Sequence, residues 1–196
     1  MLGLFLLVMT GCQKHLEPYL EKAQKAFAEK NYVDTIDALN SGLSYWQESE
    51  GPDTKAEAYE LLGKSHRALL NAEKALDAYQ QSAKISQYRF DVYFDMASIY
   101  LTKGFADQAE RNFREALRIK PDHALALLGL GNSLFTQRKL EEAGDAFQRI
   151  LDTSPGVKDA MDSLAAMRKV PHKATAKAAR QPKKAATKKP QPGKRR

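Results

Sequence analysis

The stretch Tyr93-Phe94-Asp95-Met96-Ala97 decides the fold, because two other stretches of the chain repeat its pattern at a fixed interval. Residues 59–63 (Tyr-Glu-Leu-Leu-Gly) lie 34 residues before it, and residues 127–131 (Leu-Leu-Gly-Leu-Gly) lie 34 residues after it. Each stretch places large side chains ahead of one small residue, which is Gly63, Ala97 or Gly131. A fixed period of this length indicates an array of structural repeats.

The sequence after each stretch repeats at the same interval. Three further sets of residues are in register: Ala75, Ala109 and Ala143; Tyr79, Phe113 and Phe147; and Ser82, Ala116 and Ile150. Pro121 and Pro155 close the last two units, and Gln87 stands where the first unit would have proline. The units therefore run over residues 56–89, 90–123 and 124–157.

The middle unit shows why each repeat is predicted to fold as two helices. The apolar residues of its first half fall at helical spacing and form a wide apolar face, made of Phe90, Tyr93, Phe94, Met96, Ala97 and Tyr100. Lys103-Gly104 ends this helix, and Lys120-Pro121 ends a second amphipathic helix. One helix pair buries too little apolar surface alone, so stacking of repeats creates the core.

Weaker versions of the pattern flank the three units. Residues 16–49 keep a small residue at Ala23 and apolar residues at the later positions, and we expect a degenerate first repeat there. An insertion, residues 50–55, follows it and contains the turn signal Gly51-Pro52-Asp53. Residues 158–169 predict one capping helix, whose inner face would carry Met161, Leu164 and Ala165.

The repeated pattern resembles the tetratricopeptide repeat (TPR) family. In the first helix the matching features are, in order, a large residue, Leu, a small residue (Gly or Ala) and Tyr. In the second helix they are Ala, an aromatic residue and Ala, and a proline closes the repeat. The resemblance covers residues 16–157. It implies an all-α, right-handed TPR solenoid of about four helix-turn-helix repeats with a C-terminal capping helix.

Catalytic and cofactor motifs are missing from the sequence. The chain has no glycine-rich phosphate loop and no nucleophile elbow, and its one cysteine and four scattered histidines show no metal-ligand spacing. We therefore expect neither an enzyme nor a bound metal or cofactor, and we expect function to reside in the surface of the array.

The resemblance implies a concave groove, lined by the first helices, that holds a peptide or helix of a partner protein. The positions that carry over to this sequence are Phe27, Lys64, Arg67, Phe94, Ser98, Leu101, Leu125, Leu128, Asn132 and Phe135. Their apolar members predict a protein-binding strip. The alternative is that the curvature of the array or the capping helix covers part of this strip.

The carboxylate clamp of chaperone-binding TPR domains is not matched. That clamp needs Lys and Asn at early first-helix positions, where this chain has Glu60 and Lys64. Asp91 and Asp95 stand where further cations would help to bind a carboxylate. The terminal carboxylates of a chaperone are therefore not the expected ligand.

Residues 1–12 resemble a bacterial lipoprotein signal. An apolar run over residues 2–10 ends in Gly11-Cys12, and Met9-Thr10-Gly11-Cys12 resembles a lipobox with Cys12 as the lipidated residue. Gln13 after the cysteine favours the outer membrane, facing the periplasm, and type IV pilus pilotins have a similar organisation. The alternative is an apolar terminus with an unmodified cysteine on a cytoplasmic protein.

Residues 170–196 are predicted to be a disordered basic tail. They hold ten Lys and Arg residues and no acid, whereas the rest of the chain holds 21 against 24 acids. The cations expected to bind polyanions are Lys183, Lys184, Lys188, Lys189, Lys194, Arg195 and Arg196. The polyanion would be an anionic lipid or polymer in a cell envelope, or nucleic acid in the cytosol. Alternatively, the tail is an extension without a function, or it docks on the first-helix acids Glu57, Glu60, Asp91 and Asp95.

Overall fold

The computed structural model describes residues 15–169. Within that range the chain forms nine α-helices, one 3-10 turn at Glu48–Glu50 and no β-strand. The helices are α1 (Leu16–Ala28), α2 (Tyr32–Leu43), α3 (Pro52–Ala68), α4 (Ala72–Ile85), α5 (Phe90–Thr102), α6 (Ala106–Ile119), α7 (Ala124–Thr136), α8 (Leu140–Thr153) and α9 (Lys158–Arg168).

The helices pack as four successive pairs and a final single helix. The pairs α1–α2, α3–α4, α5–α6 and α7–α8 are repeats 1 to 4, each second helix also contacts the next repeat, and α9 packs on α7 and α8. Every helix thus contacts its neighbours in sequence, as expected for a solenoid. The prediction of an all-α array of four repeats with a capping helix is confirmed.

The turn inside every repeat has the same backbone geometry. Lys30, Leu70, Gly104 and Arg138 all take left-handed φ values, between 61° and 82°. The residue after each of them donates its N–H to a carbonyl oxygen in the last turn of the first helix; for example, Asn71 N lies 2.8 Å from His66 O. This left-handed cap satisfies carbonyl groups at the helix end and reverses the chain.

Aromatic rings fill the space beside the small first-helix residues. A Cβ atom added to Gly63 would lie 2.6 Å from the Tyr79 ring, and one added to Gly131 would overlap the Phe147 ring. Both rings are almost fully buried. The small residue is therefore needed for the two helices of a repeat to approach each other, as the sequence indicated.

The insertion before repeat 2 extends a helix and caps another. The sequence placed the start of repeat 2 at residue 56, whereas α3 begins at Pro52. The helix starts earlier because proline suits the first helical position and Gly51 before it takes a φ of 82°. The Glu50 carboxylate accepts the backbone N–H groups of Leu16 at 2.6 Å and Glu17 at 3.2 Å. The insertion thus caps α1, a role that the sequence did not reveal.

The capping helix buries a different face from the one predicted. Ala160 is fully buried, and Leu164 and Met167 pack against the core. Met161, predicted on the inner face, is exposed, and Ala165 is exposed as well. The buried stripe follows residues 160, 164 and 167. Met161 and Ala165 each come one position later, which is about 100° around the helix, and so they face solvent.

The buried side chains form three clusters along the array. One cluster joins repeats 1 and 2, a second lies between α4 and α5, and a third joins repeats 3 and 4 to α9. The first helices approach one another closely in the pairs α1–α3, α5–α7 and α7–α9, and α3–α5 is the least close of these successive pairs. We call the contact between repeats 2 and 3 the polar junction and that between repeats 3 and 4 the apolar junction.

Tyr45 and Trp46 belong to the packing rather than to a free surface. The Tyr45 ring stacks on Tyr19 with centroids 5.6 Å apart, and Trp46 packs against the cluster of repeats 1 and 2. The Lys55 ammonium lies 3.9 Å from the centroid of the Trp46 ring. These contacts fix the chain between α2 and α3.

Candidate binding surface

The apolar strip predicted on the first helices of repeats 3 and 4 is mostly half-buried. Phe94, Leu101, Leu128 and Phe135 pack against the third buried cluster. Leu125, near the start of α7, is 61% exposed. The strip therefore offers one prominent apolar side chain beside four partly covered ones.

Phe94 is held in an aromatic group. Its ring lies 5.7 Å from Phe90 in a stacked arrangement, and it meets Phe113 and His123 edge-on at 6.0 Å and 5.6 Å between centroids. The Lys120 ammonium lies 4.4 Å from the centroid of Phe90, the ring that stacks on Phe94. Phe94 consequently supports the fold as well as the surface.

The polar members of the predicted set differ in how free they are. The Ser98 hydroxyl donates to the Phe94 carbonyl oxygen at 2.8 Å, within its own helix. Asn132 is exposed on α7, and its backbone carbonyl accepts the Thr136 hydroxyl at 2.9 Å. Phe27, in repeat 1, meets the Tyr32 ring edge-on at 5.5 Å. Asn132 is thus the exposed side-chain amide among the predicted residues.

The two predicted cations of repeat 2 are both paired with carboxylates of this chain. Lys64 Nζ lies 2.5 Å from Glu60 Oε1 and 3.4 Å from Asp91 Oδ2. Arg67 Nη1 lies 2.8 Å from Asp95 Oδ1. Burial lowers the pKa of Lys64, but the nearby Glu60 and Asp91 carboxylates outweigh burial and raise it. A partner's carboxylate would have to compete with these internal partners.

Asp95 is buried at the polar junction and joins two repeats. Its Oδ2 accepts the Tyr79 hydroxyl at 2.7 Å, while Oδ1 faces Arg67. Burial raises the pKa of Asp95 above its ordinary value, although Tyr79 and Arg67 pull it down. Burial and the Asp95 charge likewise raise the pKa of Tyr79, so its hydroxyl remains a donor at any physiological pH.

Glu60 forms a second buried ion pair that the sequence did not predict. Its Oε2 lies 2.6 Å from Arg89 Nη1, and Arg89 Nη2 donates to the Asp53 carbonyl oxygen at 3.1 Å. Since Glu60 and Asp95 are both buried, the alternative in which the basic tail docks on first-helix acids loses two of its four carboxylates. The sequence pattern could not reveal the pairs Arg67–Asp95 and Arg89–Glu60, because each pair joins residues that are more than 25 positions apart.

The remaining predicted site residues lie outside the described residues. Cys12 and the tail cations, from Lys183 to Arg196, belong to residues 1–14 and 170–196. Within residues 15–169, His, Cys, Asp and Glu side chains make no group that could hold a metal ion. No helix in the described range has both the length and the apolar character needed to cross a membrane.

Comparison with known proteins identifies the repeats. A family model described as tetratricopeptide repeat matches residues 94–157, which include the strip on α5 and α7. Nine helices in the described range and the solved TPR folds reported below agree with this match. Residues 94–157 thus match the tetratricopeptide repeat family, and the array as a whole has the TPR fold.

Curated relatives of this TPR chain are longer proteins. It is 27% identical over 141 residues to small glutamine-rich tetratricopeptide repeat-containing protein 2 of Saccharomyces cerevisiae, covering 71% of this chain and 39% of that protein. The TPR chain spans less than half the length of the curated relatives it matches.

Solved structures share the fold of this TPR array. The structure of YrrB, described as a TPR protein with an unusual peptide-binding site, has a TM-score of 0.71 at 16% identity and covers 79% of this chain and 76% of its own. The first TPR domain of Spaghetti (RPAP3), bound to the HSP90 peptide SRMEEVD, has a TM-score of 0.55 at 22% identity and covers 59% and 92%. At these identities the likeness establishes the fold alone.

Proposed function

We propose that this TPR protein is a non-enzymatic adaptor that binds a segment of a partner protein on the first helices of repeats 3 and 4. The observation that carries the proposal is Leu125, which is 61% exposed on the otherwise half-buried apolar strip. Exposed apolar side chains beside a polar rim are typical of protein contacts. Asn132 and Thr136 supply that rim on the same helix.

The charges of the surface favour a partner segment that is apolar rather than acidic. RPAP3, a structural neighbour, binds an acidic chaperone peptide. In this chain Lys64 is already paired with Glu60 and Asp91, and Arg67 with Asp95. An acidic peptide would therefore have to displace carboxylates of the protein itself. An amphipathic helix or extended segment with aliphatic anchors fits such a groove.

Peptide selection tests the groove proposal. Peptides selected from a random library on the full-length protein should lose most of their affinity for a Leu125→Asp variant, because a charge would replace the exposed apolar anchor. The matched control is Val33→Asp, which changes an equally exposed apolar residue on α2, far along the chain from the strip. Peptides that bind the Leu125→Asp variant as tightly as the wild type would contradict the proposal.

Phe94 and Phe135 are poorer test positions than Leu125. Both pack on the buried cluster, so truncating either would combine a loss of stability with a loss of binding. Leu125→Asp leaves the cluster intact, and circular dichroism should show unchanged helix content.

We further propose that Cys12 is lipidated and that the array is held at a bacterial membrane. The lipobox-like residues 9–12 support this, and α1 begins at Leu16, so the array would lie close to the membrane surface. The basic residues 170–196 would then contact anionic lipids or envelope polymers. A role in envelope or pilus and secretin assembly would follow.

The intact mass of the protein from its own cell tests the anchor. A mature chain that begins at Cys12 with added acyl mass is the expected result. An unmodified Cys12 in an uncleaved chain would contradict it and would favour the alternative, a cytoplasmic TPR adaptor whose basic tail binds nucleic acid.

A further inference from the structure

The turns inside the repeats line up along one edge of the array, which we call the turn edge. Leu70 of repeat 2 lines the same pocket as Lys103 of repeat 3, so these two turns are neighbours. The Gln137 amide of repeat 4 donates to the Ala106 carbonyl oxygen of repeat 3 at 3.1 Å. Repeat 1 continues the edge, because it reverses the chain with the same left-handed turn. Turns 1 to 4 are residues 29–34, 69–74, 103–108 and 137–142.

The middle of the turn edge, at turns 2 and 3, is apolar. Leu70 is 90% exposed, and Phe105 is 49% exposed. The Phe105 ring is held in place by an edge-on contact with Tyr100, with centroids 6.5 Å apart. The other three turns have lysine, glycine or arginine at the position of Leu70. Two large apolar side chains exposed on neighbouring turns indicate a protein contact.

Some charges of the turn edge are neutralised within the chain. Lys103 pairs with Glu73, and Lys139 and Glu142 each pair with a residue of α6. The other charged residues of the four turns are exposed and form no ion pair within residues 15–169. They are Glu29, Lys30 and Asp34 in turn 1, Lys74 in turn 2, Asp107 in turn 3, and Arg138 and Glu141 in turn 4.

A second copy of the chain complements the middle of this edge when the two edges run antiparallel. In a two-fold symmetric contact, every pair of residues occurs twice. A two-fold axis between turns 2 and 3 sets turn 2 of one copy against turn 3 of the other. Leu70 then meets Phe105 of the second copy, and Lys74 meets Asp107 of the second copy. An apolar contact with opposite charges beside it results.

The outer turns complement each other about the same axis, which sets turn 1 against turn 4 of the second copy. Lys30 then faces Glu141 of the second copy. The acids Glu29 and Asp34 face Arg138 of the second copy. A parallel arrangement would instead set every turn against itself and bring like charges together. Charge complementarity therefore selects the antiparallel pairing.

We propose that the turn edge is the contact surface of a homodimer, in which two copies of this chain pack antiparallel through Leu70 and Phe105. The proposal goes beyond the groove proposal, because none of the predicted groove residues lies in the four turns. The dimer needs no contact with Leu125, and the charges that it uses are the exposed ones without an ion pair in the described range.

Sedimentation velocity at a series of concentrations tests the dimer. The full-length protein should carry Cys12→Ser, so that neither a lipid nor a disulfide can join two chains. This parent protein should show a reversible monomer–dimer equilibrium. Leu70→Asp should weaken association at least tenfold, because two buried leucine side chains are lost from each dimer. The matched control is Leu125→Asp, which changes an exposed leucine outside the turn edge and should leave association unchanged.

Two charge reversals test the antiparallel pairing. Lys74→Asp and Asp107→Lys should each associate about tenfold more weakly than the parent, because a dimer of either variant contains two like-charge contacts. An equimolar mixture of the two variants should regain the parent affinity, since both contacts of the mixed dimer again join opposite charges. Circular dichroism of each variant should match the parent, because neither residue forms an ion pair in the described range.

Three outcomes would each overturn the dimer. They are a parent protein that stays monomeric at every concentration, a Leu70→Asp variant that associates as tightly as the parent, and a mixture of the charge variants that associates no better than either alone. Unchanged association of Leu70→Asp would assign self-association to another surface, such as the apolar residues 2–10. None of these outcomes bears on the groove, because peptide binding is measured separately with Leu125→Asp.

Discussion

The polar and apolar junctions use the same repeat positions with opposite chemistry. At the polar junction the Tyr79 hydroxyl meets the Asp95 carboxylate at 2.7 Å. At the apolar junction, one repeat later, Phe113 and Gly129 stand at those positions, and the ring tip fills the space where a Cβ of residue 129 would be. One junction is joined by a hydrogen bond and the other by packing.

This difference determines how closely the first helices approach. A buried carboxylate needs donors, so Asp95 holds Tyr79 and Arg67 around it. Glycine needs none and lets the Phe113 ring pack directly against α7. The backbones of α5 and α7 accordingly come closer than those of α3 and α5. A pocket of about 260 Å³, lined by Leu70, Ala72 and Ile99 among others, lies at the more open junction. A repeat template therefore fixes where a ring lies, and the residue opposite it decides how the junction closes.

Removing the ring at the apolar junction should have the largest effect. Phe113→Ala should lower the free energy of unfolding by about 3–5 kcal/mol, because the ring is 2% exposed and its loss leaves a cavity. Urea denaturation followed by circular dichroism measures this change. The control is Tyr88→Ala at a 78% exposed ring, which should cost at most about 0.5 kcal/mol. A cost below 1 kcal/mol for Phe113→Ala would mean that this junction does not depend on the ring.

Removing only the Tyr79 hydroxyl should have a smaller effect. Tyr79→Phe should cost about 1–3 kcal/mol, because the Asp95 carboxylate stays buried and loses a donor. A double-mutant cycle with Asp95→Ala isolates the interaction, since Tyr79→Phe should cost much less in that background. Equal costs of Tyr79→Phe in the two backgrounds would show that the hydrogen bond does not hold the polar junction.

The two junctions should respond to acid in opposite directions. Burial raises the pKa of Asp95, so its folded state binds a proton more readily than its unfolded state. The stability linked to this proton is present below the ordinary pKa and is lost as the pH rises through the folded pKa. An Asp95→Asn variant should therefore lack a gain in stability that the wild type shows as the pH falls toward 4.

Glu110, at the apolar junction, should show the reverse. Burial would raise the pKa of its carboxyl, but hydrogen bonds from Lys139, Gln137 and Arg114 outweigh burial and lower it. The stability that Glu110 contributes is present above its ordinary pKa and is lost as the pH falls through the lowered value. Urea denaturation of Glu110→Gln and Asp95→Asn between pH 3 and pH 7 should thus show slopes that deviate from the wild type with opposite signs. Deviations of the same sign would contradict the assignment.

Relieving the strained turns should have the smallest effect. Leu70→Gly and Arg138→Gly should each raise the free energy of unfolding by about 0.5 kcal/mol, because glycine removes the left-handed strain but costs entropy. Thermal denaturation measures both changes. The same gain at both turns would show that the backbone alone explains it; a loss at Leu70→Gly would mean that its side chain stabilises the free protein.

The sequence was most informative about features that depend on the spacing of residue types along the chain. The period of 34 residues, the small residues at Gly63 and Gly131, and the aromatic set led to the repeat boundaries and the core. The start of α3 and the buried face of α9 were predicted less well. In both cases the local pattern allowed two choices, and a cap or a neighbouring helix selected one.

The sequence by itself determined the array of helix pairs, because the spacing of apolar and small residues fixes helix faces regardless of distant contacts. Only the tertiary structure decided which charges are free. Arg67 meets Asp95, and Glu60 meets Arg89, across distances in sequence that no local pattern encodes. The binding surface follows from these pairings, since an ion pair formed inside the protein removes its charges from those that a partner can use.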